Sequence, residues 1–213
     1  MKFFQHGRSR REEESEQRAR AASLELEAAT LRSEVQDLRE LLQHLDQDME
    51  LMFAAAAAFV PGKSPRELAE AMHRLVFRHF DLASFFVALV DWEQDRLDFV
   101  FYHEGGRPRK HPSRQLSETP GLTGRAILAG APLYTRTLDE AVALGNILTA
   151  AEKGSGLIPA SWYGVPLHGP QSPFGLVSFQ SFQEDAFPEQ RRRLLDALSA
   201  MLGLALLAAR EEK

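Results

Sequence analysis

The sequence contains no cysteine, and this absence excludes several kinds of chemistry at once. Disulfides, thiolate metal sites, cysteine nucleophiles and cofactors attached through a thioether all need a sulfhydryl group. Basic residues are also in the minority, with 25 Lys and Arg against 30 Asp and Glu and a net charge of -5. Because phosphate binding usually needs a basic excess, nucleic acid is not expected as a partner.

Long apolar runs and targeting signals are lacking as well. No apolar run of signal-peptide length follows the basic N-terminus, and the longest apolar stretch, residues 194–209, contains Asp196 and Ser199. That stretch is too short to span a bilayer comfortably, so a buried helix is the better interpretation. We therefore expect no membrane partner and a cytoplasmic location.

Catalytic patterns form the third absence. The sequence has no Gly-x-Ser-x-Gly nucleophile turn, no complete Gly-x-x-x-x-Gly-Lys-Ser/Thr phosphate loop and no His-Glu-x-x-His zinc motif. No two of the 7 histidines are spaced i, i+4, so a metal site is not expected. From these absences we predict that the chain is not an enzyme.

A coiled coil is the clearest feature that is present. Residues 12–59 contain neither glycine nor proline, which predicts one continuous helix. Its apolar residues alternate between spacings of four and three, the 3.5-residue period of a left-handed coiled coil. We assign residues 12–60 to this helix and residues 1–11 to a disordered basic tail. The apolar seam, at heptad positions a and d, comprises Leu24, Ala28, Leu31, Val35, Leu38, Leu42, Leu45 and Met49.

The charges beside this seam favour a parallel homodimer. Glu27 and Glu34 occupy g positions, and Arg32 and Arg39 occupy e positions five residues later. In a parallel pair each glutamate faces an arginine of the second copy, which selects the partner and its orientation. The alternative is a single helix folded against its own domain, which leaves the charge pattern without a role. The predicted dimer contacts are Leu24, Leu31, Val35, Leu38, Leu42 and Leu45.

The remaining residues, 61–213, predict one α+β domain. Ser64 to Glu67 is a capping box with proline at the first helical position, so a helix begins there. Apolar or alternating segments predict strands at 84–91, 97–103, 133–136, 162–167 and 174–182. Helices at 120–130 and 188–210 complete a mainly antiparallel sheet with helices on one face.

Several short motifs in this domain resemble the GAF family, in family order, over about residues 50–210. Gly121-Leu122-Thr123-Gly124-Arg125-Ala126 is similar to the family's Gly-x-x-Gly-x-Ala helix start, and Trp162-Tyr163-Gly164-Val165-Pro166-Leu167 to its Val-Pro-Leu strand. The other matching segments are Ala131–Tyr134, Phe174–Phe179 and Phe187–Gln190. The resemblance implies a GAF-like sheet of five or six strands, with a pocket on one face and helices on the other. Those helices commonly form a dimeric bundle in the family.

The resemblance implies a signalling role without naming a ligand. GAF proteins that reduce methionine sulfoxide or attach bilin covalently use cysteine, and this chain has none. The Asn-Lys-x-x-x-Phe-x-x-x-Asp/Glu pattern of cyclic-nucleotide GAF domains is absent too. The cofactor therefore stays unknown. His103 and His111 border the implied pocket and could ligate a haem iron; the alternative is that they are exposed or hydrogen-bonded histidines. Our main hypothesis is a non-catalytic sensor that binds a small ligand or partner and signals through its helices to an effector domain or protein. The alternative is a structural dimerisation or scaffold module with a degenerate pocket.

Strand alternation selects the candidate ligand contacts. Phe99, Phe101 and His103 occupy every second position and are expected to share one face of the sheet. Aromatic walls with one cation suit a flat, partly anionic ligand, although the same aromatics could simply fill a core. Residues 139–160 are the predicted lid. The predicted ligand-binding residues are Phe99, Phe101, His103, Tyr134, Arg136 and Trp162.

A basic loop follows the second predicted strand. Its cationic residues are Arg107, Arg109, Lys110, His111 and Arg114. Such a loop can receive a phosphate or carboxylate group, or it can be a solvated surface segment.

Overall fold

The computed structural model describes the backbone of residues 3–118 and 120–211, and the side chains of residues 17–210 except 19, 119, 150, 151 and 155. The chain divides into two compact units, Met1–Glu50 and Leu51–Lys213. Helix α1 (Phe3–Ala58) begins earlier than the predicted start at residue 12 and includes Gly7. The predicted tail, residues 1–11, therefore overlaps the start of α1, and its side chains lie outside the described residues.

The first unit consists of the N-terminal part of α1. The six predicted dimer residues are all exposed to solvent, with Leu31 53% and Leu38 58% accessible. The predicted homodimer itself stays a prediction. The exposed apolar side chains of this part of α1 are Leu24, Leu26, Leu31, Val35, Leu38, Leu41, Leu42, Leu45 and Met49.

The second unit is built on one antiparallel sheet, which has seven strands within the described residues. The five predicted strands are confirmed, and two further strands of two residues each pair with β2. The strands are β1 (Ser84–Asp91), β2 (Arg96–Glu104), β3 (Arg107–Pro108), β4 (Arg114–Gln115), β5 (Leu133–Thr135), β6 (Ser161–His168) and β7 (Pro173–Ser181). Their order is β3-β2-β1-β7-β6-β5, with β4 also beside β2.

Two long helices pack on one face of this sheet. Helix α2 (Pro65–His79) begins at the predicted capping box, where the Glu67 amide donates a hydrogen bond to the Ser64 hydroxyl at 3.3 Å. The last helix of the described residues, α6 (Glu189–Glu211), buries leucines against the same face. The core between them and the sheet includes Met72, Val76, Phe85, Val87, Phe179, Leu195, Leu198 and Leu202.

The opposite face carries three short helices and the smaller of two hydrophobic clusters. Helix α3 (Gly121–Ala129) packs on it and ends at Gly130, whose left-handed conformation (φ 61°) closes the helix. Helices α4 (Leu138–Ala143) and α5 (Ala150–Ser155) follow in the predicted lid segment. The cluster on this face includes Phe86, Val90, Leu97, Leu122, Ile127 and Leu176. Within the described residues, no helix is both long and apolar enough to cross a bilayer.

Candidate functional site

A cavity of about 100 Å³ lies on the face of the sheet that carries α3. Its sheet-side wall is aromatic. Phe86 stacks on Tyr102 with ring centroids 5.4 Å apart, and Phe99 contacts His111 at 4.1 Å. Trp162 on β6 completes this wall. The aromatic residues supply an apolar surface on which a small molecule can rest.

The other wall comes from the start of α3 and from the predicted lid. Gly121, Leu122 and Thr123 line the cavity together with residues 146–149. Gly121 has φ 55°, and a Cβ added there would lie 2.8 Å from Ile147 Cδ1, so a side chain would disturb this wall. The lid segment therefore lines the cavity, while its opening and closing stays a prediction.

Arg114 enters the cavity as a cation without a carboxylate partner in the described part of the chain. Its Nη2 donates to the Pro120 carbonyl at 3.3 Å, and its buried Nε has no hydrogen-bond acceptor there. Burial lowers the pKa of the guanidinium group. The short strand β4 fixes this residue, because Arg114 pairs with Leu97 of β2.

Glu152 supplies a buried carboxylate to the same cavity. It belongs to the capping box of α5, where its Oε2 accepts from the Thr149 amide at 2.6 Å. The Thr149 hydroxyl donates in turn to Glu104 Oε1 at 2.6 Å. Burial raises the pKa of Glu152, and the negative charge of Glu104 adds to that rise. The cavity thus has an acidic side and a basic side.

The expectation that Phe99, Phe101 and His103 share one face is wrong. A β-bulge interrupts the pairing of β1 and β2, so that Val87 pairs with Phe101 but Ala88 pairs with Phe99. The bulge turns Phe99 to the cavity. Phe101 and His103 instead face α2, where His73 lies 5.2 Å and 4.3 Å from their rings.

The other three predicted ligand contacts, Tyr134, Arg136 and Trp162, also lie in different places. Trp162 lines the cavity. Tyr134 lies on the opposite face of the sheet, where its hydroxyl donates to Asp185 Oδ1 at 2.8 Å. Arg136 is exposed and forms an ion pair with Glu140 at 2.7 Å. The structure therefore brings together Phe99 and Trp162 of the six predicted residues.

The predicted ligand contacts omitted most of the cavity lining, including Tyr102, Arg114 and Glu152. Arg114 was recognised as part of a basic loop, but its pairing with β2 gives no periodic signal in the sequence. Glu152 carried a usable signal, since Thr149 and Glu152 match the Ser/Thr-x-x-Glu capping pattern. Strict alternation from Phe99 would place Tyr102 on the opposite face of the sheet, and the bulge brings it to the cavity instead.

Comparison with known proteins identifies this architecture. The model of the GAF domain matches residues 62–207. The GAF domain of an Acinetobacter phosphoenolpyruvate-protein phosphotransferase has 17% sequence identity and a TM-score of 0.60, and the match covers 80% of this chain and 96% of that one. No curated protein matches the chain.

Two enzymes have the same fold. Free methionine-R-sulfoxide reductase from Neisseria meningitidis, solved with its substrate, has 19% identity and a TM-score of 0.62, covering 76% of this chain and 89% of that one. The type II reductase from Thermoplasma acidophilum has 14% identity and a TM-score of 0.53, covering 66% and 89%. These structures correct the prediction that this chain is not an enzyme: the fold hosts catalysis, so the absence of common motifs does not support that conclusion.

Proposed function

Since the chain belongs to the GAF domain family, whose members are sensory and regulatory modules that bind small ligands, we propose that it senses a small molecule in the cavity beside α3. The ligand rests on the wall formed by Phe99, Tyr102 and Trp162, and the lid segment covers it. The bound and free states differ in the position of the lid and of β6, and this difference is the signal.

The observation that carries this proposal is the pair of unmatched charges in the cavity. Buried charged groups in proteins are normally paired, since an unpaired one costs several kcal/mol. Arg114 and Glu152 line one cavity, yet no ion pair joins them to each other in the described part of the chain. The capping box of α5 accounts for Glu152 as a helix cap, but no group in the described part of the chain accepts a hydrogen bond from the buried Nε of Arg114. A polar molecule bound in the cavity would supply that acceptor.

Strand β6 connects the cavity to the helices on the opposite face. Trp162 contacts the cavity, and the next residue, Tyr163, points to the other side and donates a hydrogen bond to Asp196 of α6. Tyr134 of β5, which pairs with Tyr163, makes a second link. Its hydroxyl accepts a hydrogen bond from the Phe187 amide at 3.3 Å, just before α6. A ligand that displaces Trp162 therefore moves a strand that is hydrogen-bonded to α6.

The signal passes to a parallel homodimer in this proposal. The exposed seam of α1 supports it, because a row of leucines in water gains about 1.5–3 kcal/mol per side chain on burial. Glu27 and Glu34, with Arg32 and Arg39 at the facing positions, favour the parallel arrangement. An effector domain or protein that reads the coil, and a cytoplasmic location, stay predictions.

Trp162 offers a direct test, because the sequence has 2 tryptophans and the other, Trp92, lies outside the cavity. A Trp92→Phe variant would report from the cavity alone. We expect at least one member of a panel of amino acids, organic acids, nucleotides and sugar phosphates to change its fluorescence saturably. The same compound should alter hydrogen exchange in α6, and Tyr163→Phe should weaken that second effect.

If no compound of the panel changes Trp162 emission, and native mass spectrometry of the purified protein shows the mass of the chain alone, the proposal fails. The cavity would then belong to a scaffold.

A further inference from the structure

The charges in the cavity define the chemistry of the molecule that fits it. Resting on the sensory role proposed above, we propose that the ligand is a small zwitterion, an α-amino acid with a short side chain, whose carboxylate binds at Arg114 and whose ammonium group binds at Glu152.

The carboxylate end is built from a side chain and a helix terminus. Arg114 Nη1 lies 3.5 Å from the position that a Cβ of Gly121 would occupy, so the guanidinium group stands beside the first residue of α3. Pro120, at the N-cap, has no side-chain oxygen to accept from the first-turn amides, and Gly121, Leu122 and Thr123 all line the cavity. Free amides and the positive end of the helix dipole favour an anion, and the guanidinium group can bind a carboxylate through two hydrogen bonds.

The ammonium end is Glu152. Its Oε2 accepts from the Thr149 amide, which leaves Oε1 for a donor from the ligand. Glu104 is held nearby through the Thr149 hydroxyl and adds negative charge to this side. Tyr102 and Trp162 present aromatic rings to the same cavity, and the faces of such rings attract an ammonium group.

The lack of an ion pair between Arg114 and Glu152 in the described residues argues against a ligand with a single charge. Without that ion pair, neither group neutralises the other. A monoanion would satisfy Arg114 but leave Glu152 buried and repel it, and a simple amine would do the reverse. A molecule with both charges satisfies both ends.

The cavity also limits the size of the ligand. Its volume is about 100 Å³, and an apolar cavity of about 150 Å³ is known to hold benzene. Alanine has as many non-hydrogen atoms as benzene, so the cavity favours amino acids with the smallest side chains and is too small to enclose tryptophan.

The Trp92→Phe protein allows the ligand class to be tested with matched compounds. L-alanine, L-serine and L-valine are the zwitterions; propionate retains the carboxylate alone, and ethylamine retains the amine alone. We expect saturable changes in Trp162 fluorescence with at least one amino acid. Propionate and ethylamine should bind about tenfold more weakly or worse, because each loses a charge-assisted hydrogen bond and leaves a buried charge unpaired.

Two substitutions separate the two ends of the ligand. Arg114→Gln should weaken amino-acid binding about tenfold or more, and so should Glu152→Gln. Glutamine still completes the capping box of α5, so the second variant keeps the local fold. Arg107→Gln is the matched control: Arg107 belongs to the same basic loop but is exposed on β3 and does not line the cavity. It should leave the affinity unchanged.

Each other result overturns the inference in a distinguishable way. If propionate binds as tightly as L-alanine and Glu152→Gln has no effect, the ligand is an anion, and the sensory role survives. If a nucleotide or sugar phosphate changes Trp162 emission and no amino acid does, the ligand class is wrong and the sensory role again survives. If nothing in the wider panel binds and native mass spectrometry shows the mass of the chain alone, both proposals fall together.

Discussion

At the scale of single residues, His73 and His103 form an unusual contact between α2 and the sheet. Their ring centroids are 4.3 Å apart, and His73 Nε2 and His103 Nδ1 are buried without hydrogen-bond partners in the described part of the chain. Burial lowers the pKa of His73 to about 4, and the positive charges that His103 and Arg74 can carry add to that effect. Burial also lowers the pKa of His103. Both rings are therefore neutral at pH 7 in the folded protein.

This pair makes stability depend on pH in a defined window. His73 takes up a proton near pH 6.5 in the unfolded chain and only near pH 4 in the folded chain. Between these pH values the unfolded state therefore binds more protons than the folded state. The free energy of unfolding is then highest above about pH 6.5 and falls as the pH drops towards 4. For His73 alone we expect a loss of about 1 kcal/mol between pH 7 and pH 5.5, measured by urea unfolding.

A matched pair of variants isolates this effect. His73→Phe keeps an aromatic ring against Phe77 and Phe101 but cannot take up a proton, so the pH dependence should become flatter in that window. His168→Phe, at the exposed end of β6, is the control and should keep the slope of the unchanged protein. Equal slopes in all three proteins would show that the buried pair does not titrate as we argue.

At the scale of secondary structure, the regular elements could be predicted and the irregular ones could not. The predicted strand 84–91 coincides with β1, and the capping box at Ser64 starts α2, because local periodicity and caps are visible in the sequence. The bulge gives no comparable signal in the sequence. Its extra residue, Val100, is apolar like Phe99 and Phe101 on either side. One extra residue there reverses the facing of every later side chain in β2.

The candidate site depends on these irregular elements more than the fold does. Arg114 reaches the cavity through β4, which has two residues and one pairing partner. A segment so short has no hydrophobic period, and its position is set by contacts that close only in the folded chain. Sequence reasoning therefore located the sheet and the lid segment. Of the six residues predicted as ligand contacts, two line the cavity, Phe99 and Trp162.

Gly175 and Gly203 differ in the space that is available for an added methyl group. Gly175 lies on β7 opposite Leu89 and Leu167, and an added Cβ would be 2.5 Å from the Ala88 carbonyl oxygen. Because that atom is backbone, Gly175→Ala should lower the free energy of unfolding by about 1–3 kcal/mol. At Gly203, inside α6, the added Cβ would be 3.5 Å from Leu167 Cδ2, an ordinary contact. Gly203→Ala should raise stability by about 0.5–1 kcal/mol.

Thermal or urea unfolding of the two alanine variants measures both effects in one background. The opposite signs are the essential result, since the chemical change is the same at each position. If Gly175→Ala were neutral, β7 would be able to move away from β1 at little cost, and the tight packing described for the sheet would be wrong.

At the scale of the whole molecule, the two units present different features: one contains the cavity and the other the exposed apolar seam. The GAF domain encloses a small cavity with charges of both signs, and the N-terminal part of α1 presents an apolar seam to solvent. An exposed row of leucines is costly for an isolated chain and stabilises a pair of chains. In the proposed mechanism the domain selects the ligand and the coil sets the distance and orientation between two copies.

The coil is tested by placing charge in its seam. Leu31→Asp with Leu38→Asp would put four carboxylates in the interface of a parallel dimer, so we expect monomers in sedimentation equilibrium while the GAF domain stays folded. Leu26→Asp with Ser33→Asp is the matched control, because both residues occupy outward f positions. This control should remain a dimer. A dimer that persists in the seam variant would place the main interface outside the coil, and a monomer in the unchanged protein would mean that the seam has another partner.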